Sequence, residues 1–283
     1  IKNNIYTYLL QQKEETAISY ASTTPDLKVI ESPTAYGPVS PIGKNFYLAG
    51  FIVGLLAGAF LVLLKEIFSR KVLFRSEVES KIDIPILGEL VQVKAKEPIV
   101  IMDGKRTVIA EQFRSIRTNL AFMGLNEKRN TLLITSSVSG EGKSFVAINT
   151  SISLSLTGKK VVLLEFDLRK PKISKELGFA KNPGLSTYLI GNATANEIVQ
   201  SHPTIANFSI ISAGPIPPNP TELISNERLN ELFNYLKQHF DYIIVDSPPV
   251  GAVTDAKILA NVADATLYIM RQNYTHSSFL KLV

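Results

Sequence analysis

The nonapeptide "SSVSGEGKS", Ser136–Ser144, decides how this chain is read. It follows the apolar run Thr131-Leu-Leu-Ile-Thr135 and precedes a helix-forming stretch, the strand–loop–helix context in which a glycine-rich loop wraps a phosphate. Gly140 and Gly142 let backbone amides approach phosphate oxygens, Lys143 can reach the β- and γ-phosphates, and the Ser144 hydroxyl can ligate magnesium. A helix starting near Lys143 adds its positive N-terminal dipole. The expected nucleotide contacts run from Ser139 through Gly140, Glu141, Gly142, Lys143 and Ser144 to Phe145. One departure is visible: the first position of G-x-x-x-x-G-K-[ST] is Ser137, so the bare pattern is incomplete.

Moving outward, apolar runs recur at 131–135, 160–166, 208–212, 242–246 and 265–270, with helix-length segments between them. Short strands without polar alternation are what a parallel sheet covered on both faces requires. The expected fold is therefore α/β, a mainly parallel P-loop sheet with helices on both faces and ligands at the carboxyl ends of the strands. "YIIVDSPP" ends a wholly apolar strand on Asp246, where a purely structural carboxylate is expensive to keep. That makes Asp246 the expected Walker-B acid, opposite the loop. "VVLLEFDLRKP" adds Glu165 and Asp167, two apart and on one side if the strand persists.

Upstream, "FYLAGFIVGLLAGAFLVLL" (46–64) carries neither charge nor proline and has the length of a transmembrane helix. Gly50, Gly54 and Gly58 lay a smooth stripe along it that suits close helix approach. Lys65, Arg70, Lys71, Arg75 and Lys81 follow the span, against Lys28 and Lys44 before it, which puts everything after Leu64 in the cytoplasm. Residues 1–45 are then extracytoplasmic, with a helix ending before Pro25 and an extended, proline-stiffened "DLKVIESPTAYGP". The absence of a starting methionine suggests a piece cut from a longer protein. The expected organisation is 1–45 outer segment, 46–64 span, 65–100 juxtamembrane linker and 101–283 P-loop domain.

Composition narrows the classes further. At 283 residues and 45% hydrophobic, the chain is not a disordered one. A net charge of +5 without an interleaved basic and aromatic motif gives no case for nucleic acid. There is no cysteine, and His202, His239 and His276 lack metal-ligand spacing.

The ordered set "SSVSGEGKS", "VVLLEFDLRKP" and "YIIVDSPPV" resembles the Walker A, A′ and B motifs of bacterial tyrosine kinases, BY-kinases of the Wzc type, which are polysaccharide co-polymerases. "EQFRSIRTNL" resembles that family's E-x-x-R-x-x-R helix, "AGPIPPNPTELI" its proline-rich loop, and "SPTAYGPVSPIGKNF" its lead-in to a second membrane helix. The resemblance implies ATP-dependent autophosphorylation of tyrosines near the C-terminus of a neighbouring copy. Lys143 then matches the phosphate-binding lysine, and Ser144, Asp167 and Asp246 the magnesium site. Glu165 falls where the family has aspartate, the candidate base; its extra methylene shifts the carboxylate by on the order of 1.5 Å, and the roles of Glu165 and Asp167 are interchangeable at this stage. Glu111, Arg114 and Arg117 lie at i, i+3 and i+6, either a solvated helix face or, by resemblance, an intersubunit contact. In "PPNPTELI", Asn219, Pro220 and Glu222 read as a capped helix start.

The resemblance also implies an inner-membrane protein with a cytoplasmic kinase domain, touching membrane lipid and forming a homo-oligomeric ring, an octamer being the family size. An outer-membrane polysaccharide export protein and a tyrosine phosphatase are the implied partners. The ten tyrosines are dispersed, so the complete protein is expected to end in a tyrosine cluster. Two rival readings stand beside the kinase. A ParA- or MinD-like ATPase carries a signature lysine five residues before the phosphate-binding one, where Val138 stands here. A non-catalytic, nucleotide-binding chain-length regulator is compatible with the substitution at Glu165.

Overall fold

The computed structural model describes residues 2–22, 37, 43–68, 71–93, 97–102, 104, 106–126 and 128–282. Two units separate, Ile1–Ile67 and Phe68–Val283. The first holds helix α1 (Lys2–Ser22) and all but the last residue of α2 (Gly43–Phe68). Within α2, Gly43–Leu64 is 22 residues long with a mean hydropathy of 2.5, long and apolar enough to cross a membrane. The helix thus begins three residues before the expected Phe46. The expected extended stretch before it falls outside the described residues apart from Gly37, as do Lys28 and Arg70 of the charge count.

Among the described residues, the second unit is built on six strands: β1 (Thr131–Ser136), β2 (Val161–Glu165), β3 (Gln200–Ser201), β4 (Phe208–Ile211), β5 (Tyr242–Asp246) and β6 (Ala265–Ile269). Their order in the sheet is β3-β4-β2-β5-β1-β6. Among these strands every pairing is parallel except β3 with β4. The five apolar runs of the sequence became the five parallel strands. The edge strand β3 has only two residues, too few for any periodicity to announce it.

Alternation along the strands builds two cores. Leu132, Ile134, Val161, Leu163, Phe208, Ile210 and Ile244 face one side. Leu133, Val162, Leu164, Ile211, Ile243 and Val245 face the other, as period-two geometry demands. Helices α3 (Arg75–Glu79), α4 (Val108–Phe122), α5 (Lys143–Ser155) and α6 (Ile173–Glu176) come first in this unit. Helices α4 and α5 cover the first face, through residues such as Phe113, Ile116, Ala147 and Ile152. Then follow α7 (Leu185–Leu189), α8 (Ala195–Ile198), α9 (Pro220–Ile224), α10 (Glu227–His239) and α11 (Asp255–Ala260), which serve the second face. In α10 the buried stripe is Leu229, Leu232, Phe233 and Leu236, the spacing of an amphipathic surface helix.

The stretch expected as a juxtamembrane linker is folded onto this unit from Lys71 onward. Val72 N–H donates to the Thr275 carbonyl at 2.9 Å, and Asn273 N–H returns a bond to the Val72 carbonyl at 2.9 Å. Val72 and Val78 bury against Leu280. Further along, the Asn119 amide donates to the Leu87 carbonyl at 2.7 Å, tying that segment to α4.

Candidate functional site

Parallel strands end on one edge of the sheet, and the register sets Ile134 of β1 beside Asp246, and Asp246 beside Glu165 of β2. The loop following β1 turns at Gly140 (φ 93°) and Gly142 (φ 99°). Both angles are left-handed, and only glycine adopts them at low cost. Gly142 is the N-cap of α5, so Lys143 and Ser144 open that helix directly above the end of β5.

There the side chains converge. Lys143 Nζ donates to Asp246 Oδ1 at 2.6 Å, and Ser144 Oγ donates to Asp246 Oδ2 at 2.9 Å. Lys143 Nζ also lies 3.4 Å from Ser144 Oγ. The pair is enclosed, with side-chain exposures of 7% for Lys143 and 1% for Asp246. Burial pushes the Asp246 carboxyl above its ordinary range, against the pull of Lys143 and Ser144; the nearby Asp167 charge pushes the same way as burial. Asp167 lies just beyond β2, partly buried, and accepts the Lys170 N–H at 3.1 Å. Hydroxyl and carboxylate oxygens at Ser144, Asp246 and Asp167 are hard donors of the kind magnesium takes, and one or two carboxylates beside phosphate oxygens suffice for it. The donor set fits that ion.

Glu165 makes contacts that its sequence context does not announce. β2 ends at Glu165, so the premise that would put Glu165 and Asp167 on one side of a continuing strand does not hold. The Glu165 side chain is fully buried. Its Oε1 accepts the Ile173 N–H at 2.6 Å and its Oε2 the Ala213 N–H at 3.2 Å, while Ser174 N–H lies 3.4 Å from both oxygens. The carboxylate therefore ties the ends of β2 and β4 to the start of α6, satisfying amides that would otherwise be orphaned. The Phe145 ring packs against Phe113 with centroids 5.9 Å apart, so a nucleotide contact at Phe145 would be through its backbone N–H. The Asn219 cap is also different, since its side chain makes no bond to the helix backbone and donates instead to the Glu222 carboxylate. Pro220 does occupy the first turn.

The loop residues that the sequence singled out are gripped from outside by a segment it did not. Arg271 donates to the Gly140 carbonyl at 3.0 Å, and Tyr274 OH to the Ser139 carbonyl at 2.9 Å. Thr275 donates to Glu141 Oε1, whose other oxygen accepts the Val138 N–H at 2.8 Å. Ser137 Oγ sits 3.0 Å from Tyr268 OH. "RQNYTH" carries no motif that points to a phosphate loop, so only tertiary structure reveals this clamp.

Glu111, Arg114 and Arg117 lie along α4, away from this cluster. Glu111 pairs with Arg114. Arg117 turns inward, donating to the Ser153 carbonyl of α5 at 2.6 Å. Burial, with the Arg114 charge beside it, lowers the Arg117 pKa.

Residues 130–278 match the family described as an AAA domain. Among curated relatives, the tyrosine-protein kinase YwqD of Bacillus subtilis is 35% identical over 177 residues, covering 62% of this chain and 74% of that one. The tyrosine-protein kinase Wzc of Salmonella typhimurium is 32% identical over 285 residues, covering 94% of this chain and 39% of that one. The chain thus spans about two fifths of the length of the longer relatives it matches. The solved kinase domain of the Escherichia coli tyrosine kinase ETK superposes with a TM-score of 0.66 at 26% identity, covering 73% of this chain and 85% of that one. The strand order, the phosphate loop facing Asp246 and these similarities along most of its length agree: the chain belongs to the family of bacterial tyrosine-protein kinases.

Proposed function

We propose that this chain is the membrane-anchored kinase portion of a protein-tyrosine autokinase, which passes the γ-phosphoryl of ATP to tyrosines near the C-terminus of a neighbouring copy. The observation that carries this reading is the convergence of Lys143 and Ser144, from the first turn of α5, on the buried Asp246 at the end of β5. Phosphate oxygens and a metal ion are the natural competitors for the two halves of that pair. ATP then draws Lys143 onto its β- and γ-phosphates, and the backbone amides of Ser139–Phe145 wrap the same oxygens.

In the transfer, the tyrosine oxygen forms a bond to the γ-phosphorus, the bond to the bridging oxygen breaks, and ADP leaves. If magnesium binds, Ser144 with Asp246 and Asp167 would hold it, and it would supply neutralisation of the phosphate charge. The tyrosine proton passes to a carboxylate. We assign that role to Asp167, because Glu165 is committed to the amides of Ile173, Ser174 and Ala213. Lys143 balances negative charge on the transferring group, and positioning provides most of the remaining rate.

The apolar Gly43–Leu64 helix supports an inner-membrane location in contact with lipid, with the P-loop domain on the cytoplasmic side and residues 1–45 on the other. The exposed Glu111–Arg114 pair on α4 supports a contact between copies in a ring, whereas Arg117 serves its own chain. Each phosphotyrosine adds roughly −1.5 to −2 charge, enough to loosen packed neighbours and so regulate polymerisation and export of a capsular or extracellular polysaccharide. An outer-membrane export protein and a tyrosine phosphatase complete that cycle. Incubation with ATP and magnesium, followed by parallel assays of phosphotyrosine and free phosphate, tests the reading. Phosphotyrosine is expected; free phosphate alone would favour an ATPase, and neither product a nucleotide-binding regulator.

A further inference from the structure

Asp167 is held at the apex of a short irregular stretch that is anchored at both ends. On its N-terminal side, Phe166 N–H donates to the Asp246 carbonyl at 2.9 Å, and across Asp167 itself Leu168 N–H folds back onto the Phe166 carbonyl at 2.8 Å. On its C-terminal side stands Arg169, which no part of the transfer chemistry uses. Its Nε lies 3.3 Å from Asp255 Oδ2 and its Nη2 donates to Thr221 Oγ1 at 2.8 Å. Thr221 Oγ1 in turn donates to Asp255 Oδ1 at 2.6 Å. The three side chains close a ring of hydrogen bonds.

That ring joins three segments that follow strands. Arg169 follows β2, Thr221 sits in α9 after β4, and Asp255 opens α11 after β5. The Asp255 side chain is 1% exposed, and a buried carboxylate persists only when its oxygens are paired. Both are paired here, one by the hydroxyl and one by the guanidinium. Arg169 is thereby fixed at two points, and a planar fork held twice has little freedom to let its own backbone drift. Two residues away, Asp167 takes its direction from that backbone.

We propose that Arg169, locked by Asp255 and Thr221, is a positioning residue that aims the Asp167 carboxylate at the metal and the acceptor hydroxyl. The proposal rests on the assignment of Asp167 in the function proposed above. A displacement of about 1 Å in such a group costs on the order of 100-fold in rate, and loss of an outer hydrogen-bond partner typically weakens metal binding about 10- to 100-fold.

Thr221→Val removes the hydroxyl at nearly constant volume, Thr221→Ser retains it, and Arg169→Ala removes the anchor itself. All three are measured in the full chain by thermal melting, by calorimetric titration of ADP with and without magnesium, and by phosphoryl-transfer kinetics. For Thr221→Val and Arg169→Ala, the magnesium concentration that half-saturates the effect on ADP binding should rise about tenfold. Metal-free ADP binding should stay within about twofold, and kcat should fall about tenfold or more while KM for ATP holds. Thr221→Ser should match the wild type. The proposal is overturned if folded Thr221→Val keeps the wild-type magnesium dependence, or if activity and metal dependence decline only in proportion to folded protein. A wild type that makes no phosphotyrosine would sink the kinase reading instead, and the magnesium dependence of ADP binding would still decide the role of Arg169.

Discussion

Lys143 Nζ and Asp246 Oδ1 lie 2.6 Å apart across 103 residues of sequence, in a setting that hides both from water. Ser144 completes the contact on the other oxygen. A buried ion pair is a poor source of net stability, but breaking it from one side leaves an uncompensated charge.

Lys143→Met should therefore destabilise the domain by roughly 3–5 kcal/mol, and adding Asp246→Asn should recover most of that loss. Urea unfolding of the two single variants and the double variant measures the coupling. Additive effects of the two substitutions would contradict the pairing.

The pH dependence follows from the same group. Burial holds the Asp246 carboxyl above its ordinary value of 3.8, so the folded protein binds a proton there more readily than the unfolded chain does. Its contribution to stability is fully present below that ordinary value and is lost as pH rises through the raised one. Lys143 opposes the shift, so in Lys143→Met the decline in stability should steepen from about pH 4 upward. Asp246→Asn should remove the slope, as unfolding midpoints measured across this range would reveal.

Glu165 and Asp167 should separate cleanly. Glu165→Gln turns an amide donor toward a cluster of backbone N–H groups, costing about 1–3 kcal/mol, with transfer per folded molecule within about threefold. Asp167→Asn should leave the melting temperature nearly unchanged and lower kcat by about 100-fold or more. Melting curves beside initial rates decide it; the opposite pattern would restore Glu165 as the base.

At Gly140, an added Cβ would sit 2.8 Å from Tyr274 OH, at a backbone φ of 93°. Gly140→Ala should weaken ATP binding by about tenfold or more, since the left-handed conformation costs about 1–2 kcal/mol for any other residue and the clamp must also shift. Tyr274→Phe relieves the closest contact but not the strained φ, so the double variant should recover only part of the loss. Equilibrium titration with ATP measures both.

The parallel strands and the phosphate loop were legible because their signals are local. Five apolar runs announced five strands, and glycine spacing with Lys143 announced the loop. Asp246 was legible for a related reason, as a carboxylate closing a strand that buries everything before it. What escaped depends on contacts distant in sequence. Glu165 read as a candidate base from its place beside Asp167 in the A′ segment, and nothing local shows that Ile173 and Ala213 bring their amides to it. Arg271, Tyr274 and Thr275 reach the loop from more than 130 residues away. Arg169 stood in the quoted A′ segment, but its partners Thr221 and Asp255 lie 52 and 86 residues further on.

The account turns on whether the pocket around Lys143 moves phosphate onto tyrosine. The most direct measurement is mass spectrometry of the full-length protein, purified from a host lacking other tyrosine kinases and incubated with ATP and magnesium, beside its Lys143→Met variant. Phosphotyrosine in the wild type and none in the variant is the predicted result. Phosphotyrosine that persists in the variant, or ATP consumed by the wild type with no tyrosine modified, would contradict it.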